Sequence, residues 1–127
     1  MEHPNEALIR EAYNTFYTGD SAFFKAVTHP DVVFHQVPGT RLSGDWPGMR
    51  GGIDLTRFML ELSDNTHKET ILELAANEHV AFVLVRHTLT RHGRAFDFKL
   101  AQQWRLEDGK LREFWEFPEP AWYEAWA

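Results

Sequence analysis

Between His79 and Leu106 the chain alternates. Ala81, Val83, Val85 and Leu89 share one parity, Phe96, Phe98, Leu100, Trp104 and Leu106 share the other, and His92-Gly93 stands between the two runs. Successive side chains of an extended strand point to opposite faces, so each run reads as a strand buried on one side. A two-residue turn at His92-Gly93 pairs Arg91 with Arg94, and with them Val85 with Leu100 and His87 with Phe98. The apolar face of the first strand then continues into that of the second. Two polar side chains interrupt this common wall, His87 and Gln102. A chain with such a hairpin at its centre must cover one sheet face with other elements.

Those elements lie upstream. Leu8, Ala12 and Phe16, flanked by Ile9 and Tyr13, recur at helical spacing over about residues 5–18, and Thr18-Gly19-Asp20 supplies a stop. Asp20 is positioned to cap a second short helix, Ser21 to Val27, which His29-Pro30 breaks. Asp31 to Val37 has strand composition and ends at Pro38-Gly39. Residues 38–52 contain five Gly and two Pro and read as a loop or short strand around Trp46. Ile53 to Leu62 is helical again. From Lys68 onward the pattern is three or four strands, with turn chemistry at Asn77-Glu78, His92-Gly93 and Asp108-Gly109. The aromatic tail, Pro118 to Ala127, forms one helical turn or more. Helices first and an antiparallel meander afterwards give an α+β fold, and 127 residues make a single domain, 1–127.

The facing of the last strand depends on its turn. A three-residue loop Glu107-Asp108-Gly109 pairs Leu106 with Lys110 and Gln102 with Phe114, and turns Phe114 and Glu116 toward His87 and Gln102. A two-residue turn at Asp108-Gly109 instead sends Trp115 and Phe117 inward and Glu116 outward. We prefer the first. Glu116 then lies opposite Leu100, diagonal to Gln102 at roughly 7–8 Å between backbones. Glu116 and His87 are two strands apart, about 11 Å between backbones, a gap that fits a flat ligand better than a direct hydrogen bond.

Composition narrows the chemistry. Nineteen acidic against thirteen basic side chains leave a net charge of −6, so the footprint for nucleic acid or an anionic membrane is missing. No cysteine is present, which removes disulfides, thiolate nucleophiles and thiolate-held metals. No HExxH or His spacing typical of metal ligands occurs, with His29, His35 and His87 scattered, so no metal site is expected. The glycine-rich run Gly44 to Gly52 matches neither a phosphate loop nor a dinucleotide fingerprint, and no GxSxG elbow exists. No apolar run reaches the roughly 20 residues that span a bilayer, and the expected location is the cytoplasm.

Eighteen aromatics (ten Phe, five Trp, three Tyr) and seven His remain, more aromatic surface than a small core needs. Parity divides the aromatics into an inner wall (Phe96, Phe98, Trp104, Phe114) and an outer group (Phe82, Trp115, Phe117, beside Leu84), the second suited to a dimer contact. Of the histidines, His87 is the inward candidate. A carboxylate in an aromatic wall has its charged form disfavoured, so Glu116 is a candidate general acid, with His87 as base or orienting group. Gln102 is placed to orient a carbonyl or hydroxyl, and Gln36 and Trp46 are candidates for the pocket rim.

Several short motifs, in order, carry a family resemblance: Tyr17-Thr-Gly-Asp20, Asp31-Val-Val-Phe34, Ser43-Gly44, Gly48-Met-Arg-Gly51, Ala75-Ala-Asn-Glu78, His92-Gly-Arg94 and Trp104-Arg-Leu-Glu-Asp-Gly-Lys110. Over nearly the whole chain they resemble the SnoaL-like, ketosteroid-isomerase-like branch of the nuclear transport factor 2 (NTF2-like) superfamily. The resemblance implies a cone: three N-terminal helices packed on a strongly bent antiparallel sheet, a cavity at the wide end, and homodimers through the outer sheet face. It does not imply steroid isomerisation. The positions of that enzyme's Asp base and second Asp fall on Gln36 and Gln102, and its first-helix Tyr falls on Ala12, with Tyr13 next door. The carboxylate pair and Arg of a limonene-type epoxide hydrolase are not recognisable. Gly109-Lys-Leu-Arg-Glu-Phe-Trp-Glu-Phe117 is similar to the last strand of the phenazine-biosynthesis A/B proteins, whose catalytic acid falls on Glu116.

The expectation is therefore a cofactor-free acid–base enzyme of cyclase, isomerase or dehydratase type, acting on a small hydrophobic or aromatic molecule. Glu116 and His87 are its catalytic candidates, and Gln102, Gln36, Phe98, Phe114, Trp46 and Tyr13 its ligand-binding ones. The alternatives are a non-catalytic small-molecule binding protein of the same fold and a purely structural dimeric protein.

Overall fold

The computed structural model describes residues 2–16 and 21–127. The expected stop at Thr18-Gly19-Asp20, the Asp20 cap and the Tyr17 to Asp20 motif lie outside the described residues. In chain order the elements are α1 (Pro4–Phe16), α2 (Ser21–Ala26), β1 (Thr28–Gln36), β2 (Gly44–Pro47), α3 (Gly48–Leu62), β3 (Lys68–Ala76), β4 (Val80–Arg91), β5 (Arg94–Glu107), β6 (Lys110–Phe117) and α4 (Pro120–Ala125).

Two boundaries differ from the sequence reading. β1 begins at Thr28 and runs through His29-Pro30, because its pairing with β6 is interrupted between Thr28 and Val33 and Pro30 falls inside that irregularity. α3 begins at Gly48, inside the glycine-rich run, because the helix start lies against the sheet. A Cβ on Gly52 would sit 2.7 Å from the Phe34 ring, so only glycine allows that approach without displacing the aromatic.

The six strands form one sheet in the order β2-β1-β6-β5-β4-β3. The β3–β6 meander and the β1–β2 pair are antiparallel, as expected, but β1 and β6 run parallel. The β4–β5 ladder has the expected register, with Arg91 opposite Arg94 and His87 opposite Phe98. Burial alternates along it, Ala81, Val83, Val85, His87 and Leu89 being buried and Phe82, Arg86 and Thr90 exposed.

The last hairpin corrects the sequence reading. Asp108 and Gly109 have φ of 51° and 73°, both left-handed, and Glu107 pairs with Lys110, so the connection is the two-residue turn and not the preferred three-residue loop. By that turn alone Glu116 would face outward. A bulge restores it: Leu106 pairs with Leu111 but Arg105 with Glu113, so Arg112 is an extra residue and the parity of everything after it flips. Phe114 then lies opposite Trp104, and Glu116 directly opposite Gln102 instead of Leu100. A second bulge, between Ile71 and Glu73, lets Ile71 and Leu74 both pack on the core.

The concave face is covered by Ile9 and Ala12 of α1, Phe24 of α2, and Leu55 and Met59 of α3, all buried. Trp122 of α4 and the following Trp126 are fully buried. The tail is held by Arg91, whose guanidinium donates to the Ala125 carbonyl at 3.0 Å and the Ala127 carbonyl at 2.5 Å. No helix among the described residues is long and apolar enough to cross a membrane.

Candidate functional site

The bulge on β6 and the long β4–β5 ladder help bring polar side chains from five strands and from α1 onto the covered face of the sheet. The cavity they enclose offers about 70 Å³ to the centres of water-sized molecules, about five times what one water needs. Phe34, Trp104 and Phe114 make one wall, with Phe34 meeting Trp104 edge-on at 5.7 Å and Trp104 tilted against Phe114 at 4.6 Å between ring centroids. Leu55 and Met59 close the side toward α3.

The polar end is one connected network. Trp104 Nε1 donates to the Tyr13 hydroxyl at 2.9 Å, and that hydroxyl donates to Gln102 Oε1 at 2.5 Å. The amide of Gln102 is thereby fixed, and its Nε2 donates to Glu69 and, at 2.9 Å, to Glu116 Oε2. Gln36 Nε2 donates to Glu116 Oε1 at 2.8 Å. Gln36 Oε1 is buried without a hydrogen-bond partner. His87 Nε2 lies 3.0 Å from Glu69 Oε1 and 3.9 Å from Glu116 Oε2, and its Nδ1 lies 3.1 Å from His67 Nε2.

The electrostatics follow from burial with no lysine or arginine among the described residues that line the cavity. Desolvation alone raises a buried carboxyl and lowers a buried imidazole. For Glu69 that rise is outweighed by the attraction and hydrogen bond of His87, so it titrates well below the usual carboxylate range. For His87 burial lowers the value, but Glu69, by attraction and hydrogen bond, and Glu116 together carry it above 6.5. Burial dominates at Glu116 and holds its carboxyl above the ordinary value, against the opposing attraction of His87. His67 is pushed down to about 3, first by burial and then by His87. Burial, reinforced by Glu69, raises Tyr13 well above its ordinary range. The set therefore favours the ionised form of Glu69, the charged form of His87, the neutral form of His67 and the protonated form of Glu116, each relative to the free side chain.

Tyr13, Gln36, His87, Gln102, Phe114 and Glu116, all singled out in the sequence, line this one cavity. Phe98 stands behind the site, stacked on the His87 ring at 5.6 Å, and is not part of the lining. Trp46 is directed elsewhere, donating its indole N–H to the Leu42 carbonyl at 2.8 Å and packing near Phe58. The expected gap for a flat ligand between His87 and Glu116 is absent: the observed register places Glu116 two residues further along β5, opposite Gln102 instead of Leu100 and so further from the Phe98 that faces His87, yet the two side chains reach across the cavity to within 3.9 Å.

Two residues escaped the sequence reading. Glu69 lies directly opposite His87 in the β3–β4 ladder, and His67 precedes it on the same face. Their signal was parity with Ile71, masked by Leu72 and Leu74 of opposite parity across the bulge. His87 was therefore not the only inward histidine. The aromatic tail acquires a place as well: Trp122 packs edge-on to His87 at 5.8 Å and Trp126 edge-on to His67 at 5.5 Å.

A helix-covered sheet of mixed pairing, with a buried acid, imidazole and amide cluster lining a cavity on its covered face, is an NTF2-like architecture. The chain belongs to the SnoaL-like domain family, whose model matches residues 9–114. Among solved structures it is similar to Bal32a from a soil-derived mobile gene cassette, at 20% identity and a TM-score of 0.89, over 97% of this chain and 96% of that one. It is similar to TerC co-crystallised with polyporic acid, at 18% identity and a TM-score of 0.84, over 98% of each chain. The putative polyketide cyclase IdmH from Streptomyces antibioticus aligns at 18% identity and a TM-score of 0.71, over 91% of each chain. At these identities the likeness is one of fold. No curated protein matches the sequence significantly.

Proposed function

We propose that the chain is a proton-transfer enzyme of the cyclase, isomerase or dehydratase type that works with its own side chains on a small, uncharged cyclic or aromatic molecule. The observation that carries this reading is Glu116, a fully desolvated carboxyl whose oxygens are aimed by Gln36 and Gln102 at a cavity walled by Phe34, Trp104 and Phe114. A carboxyl held there is matched to giving and taking a proton near neutral pH. His87, bonded on both ring nitrogens, acts as the fixed positive charge that stabilises the anionic form of Glu116 or of the substrate, and Glu69 and His67 hold it in that role. The absence of lysine and arginine from the lining disfavours carboxylate or phosphate substrates, and the modest volume favours a single ring. The neighbours named for polyporic acid and polyketide cyclisation agree with a cyclic substrate class.

The test is exchange of carbon-bound hydrogen in D2O, followed by NMR on a panel of small cyclic ketones and phenols. Wild type should catalyse exchange for at least one member, and Glu116→Gln should slow it about a hundredfold or more while ligand affinity changes little. Equal exchange by both proteins removes the proposal. Binding by both without exchange supports the second reading, a non-catalytic binding protein. One observation favours that reading: both Glu116 oxygens already accept amide hydrogen bonds.

The outer face is proposed as a homodimer contact. Phe82 and Phe117 are 50% and 53% exposed, and on the same face Trp115 and Leu84, across β5 from Phe82 and Phe117 respectively, are half-buried.

A further inference from the structure

We propose that Glu69, His87 and Glu116 form a binding site for one divalent transition-metal ion, with Gln36 Oε1 as a further oxygen ligand. One ligand atom from each of the three residues lies within 4.8 Å of the others. His87 Nε2 stands 3.0 Å from Glu69 Oε1 and 3.9 Å from Glu116 Oε2. Two ligands each about 2.1 Å from a common ion stand about 3.0 Å apart at a right angle and about 3.4 Å apart at a tetrahedral one. The His87–Glu69 separation matches the right-angle value, while the His87–Glu116 pair and the widest pair, within 4.8 Å, are wider than either value and close by rotation of the two glutamate side chains toward a common ion.

Gln36 is the independent observation. It is 6% exposed, lines the cavity, and is tied to Glu116 Oε1 through Nε2, which holds Oε1 beside the cluster without a partner. An amide oxygen only accepts, so its buried complement is a donor or a cation. His87 is already oriented as a metal-bound imidazole is, with Nδ1 tied to His67 and Nε2 facing the carboxylates. The donor set is one imidazole nitrogen and otherwise oxygen, which suits Mn(II), Fe(II), Co(II) or Zn(II) and not Cu(I). Two carboxylates with no lysine or arginine in the lining match a charge of +2.

The sequence held no metal motif because the ligands come from four strands, β1, β3, β4 and β6, that only the sheet brings together. This inference goes beyond the proton-transfer reading: protons and the ion compete for the same groups. Among the described residues, the titratable groups facing the site are Tyr13 from α1, His67 and Glu69 from the β3 side, His87 from β4 and Glu116 from β6, while β1 and β5 contribute the amides of Gln36 and Gln102 and α3 no titratable group. Ion binding displaces protons from His87 and Glu116, so affinity rises with pH.

The experiment is titration of the chelator-stripped full chain with Mn²⁺, with free ion followed by electron paramagnetic resonance. One ion should bind per chain, more tightly at about pH 8 than at about pH 6, and the bound ion should show nitrogen coupling from an imidazole. Glu69→Gln and Glu116→Gln should each weaken binding at least about tenfold, and His87→Gln should remove the nitrogen coupling. The exposed Glu119→Gln should change nothing, and circular dichroism verifies the fold of each variant. Absence of saturable uptake by wild type up to about 1 mM Mn²⁺, Co²⁺ or Zn²⁺ overturns the proposal, as does uptake indifferent to all three substitutions. The readout is ion binding and not turnover, so it stands apart from the role of Glu116 in catalysis.

Discussion

Glu69 and His67 together decide what kind of group His87 is. An imidazole buried alone would be neutral and available as a base. With a carboxylate 3.0 Å from Nε2 and the His67 ring 3.1 Å from Nδ1, its charged form is favoured and both ring nitrogens are engaged. The two neighbours have opposite pH signatures from His87. Glu69 and His67 have lowered folded-state values, so the unfolded chain binds more protons as the pH falls and their stabilisation is lost toward acid. His87 is raised, so its contribution is complete below 6.5 and disappears as the pH rises through its folded value. For His67 the window runs from 6.5 down to about 3. In urea unfolding at fixed pH values, His67→Gln should therefore flatten the fall of stability between about pH 6 and pH 4 by up to about 1.4 kcal/mol per pH unit. Identical slopes for variant and wild type would show that His67 is not buried neutral. At this scale Gln36, His87, Gln102 and Glu116 were legible because each is a polar residue placed within an apolar or strand-like run. Glu69 was not, because Lys68-Glu-Thr-Ile-Leu-Glu-Leu74 carries apolar side chains at both parities and the bulge that reconciles them leaves no mark in composition.

At the scale of elements, β6 shows how two errors of reading can cancel. The Asp108-Gly109 turn and the Arg112 bulge each invert the strand, and together they return Phe114 and Glu116 to the cavity. The turn was legible as one of two alternatives. The bulge was not, since no residue in Leu111-Arg-Glu113 requires it; it is imposed by the pairing of β6 with β5 on one side and β1 on the other. Two single-residue deletions separate these effects. Deleting Arg112 regularises the ladder and keeps Glu116 opposite Gln102, so the His87 ring signals in an NMR spectrum should stay near their wild-type positions. Deleting Trp115 shifts Glu116 by one and turns it outward, and those signals should move to the positions seen in Glu116→Gln. The reverse pattern would disprove the register. The helices were legible from spacing, but the start of α3 was not, because glycine there serves the contact with Phe34 and says nothing of helix formation.

For the whole molecule, the inner and outer division read from parity held, and the outer face is where copies of the chain are expected to meet. Phe82 and Phe117 sit on β4 and β6, with Gln103 and Ala101 of β5 between them. If two chains bury this patch, Phe82→Glu combined with Phe117→Glu should halve the mass measured by light scattering while leaving the circular dichroism unchanged. A wild-type protein already monomeric at about 100 μM, far above the micromolar affinities of ordinary weak interfaces, removes the dimer. The order of the sheet was less legible: nothing in Asp31 to Val37 announces that its partner is the last strand, running parallel to it.

That parallel pairing bears on how the site comes into being. Gln36 and Glu116 are 80 residues apart in the chain, so bringing them together by themselves closes a loop costing about 4 kcal/mol of backbone entropy. A hydrogen bond to a carboxylate returns about 1.5–3 kcal/mol. The bond cannot assemble its own geometry. It is carried into place by the Phe34 to Phe114 ladder and the aromatic packing around it, so the polar end of the cavity inherits its order from the β1–β6 seam and is only as well formed as that seam.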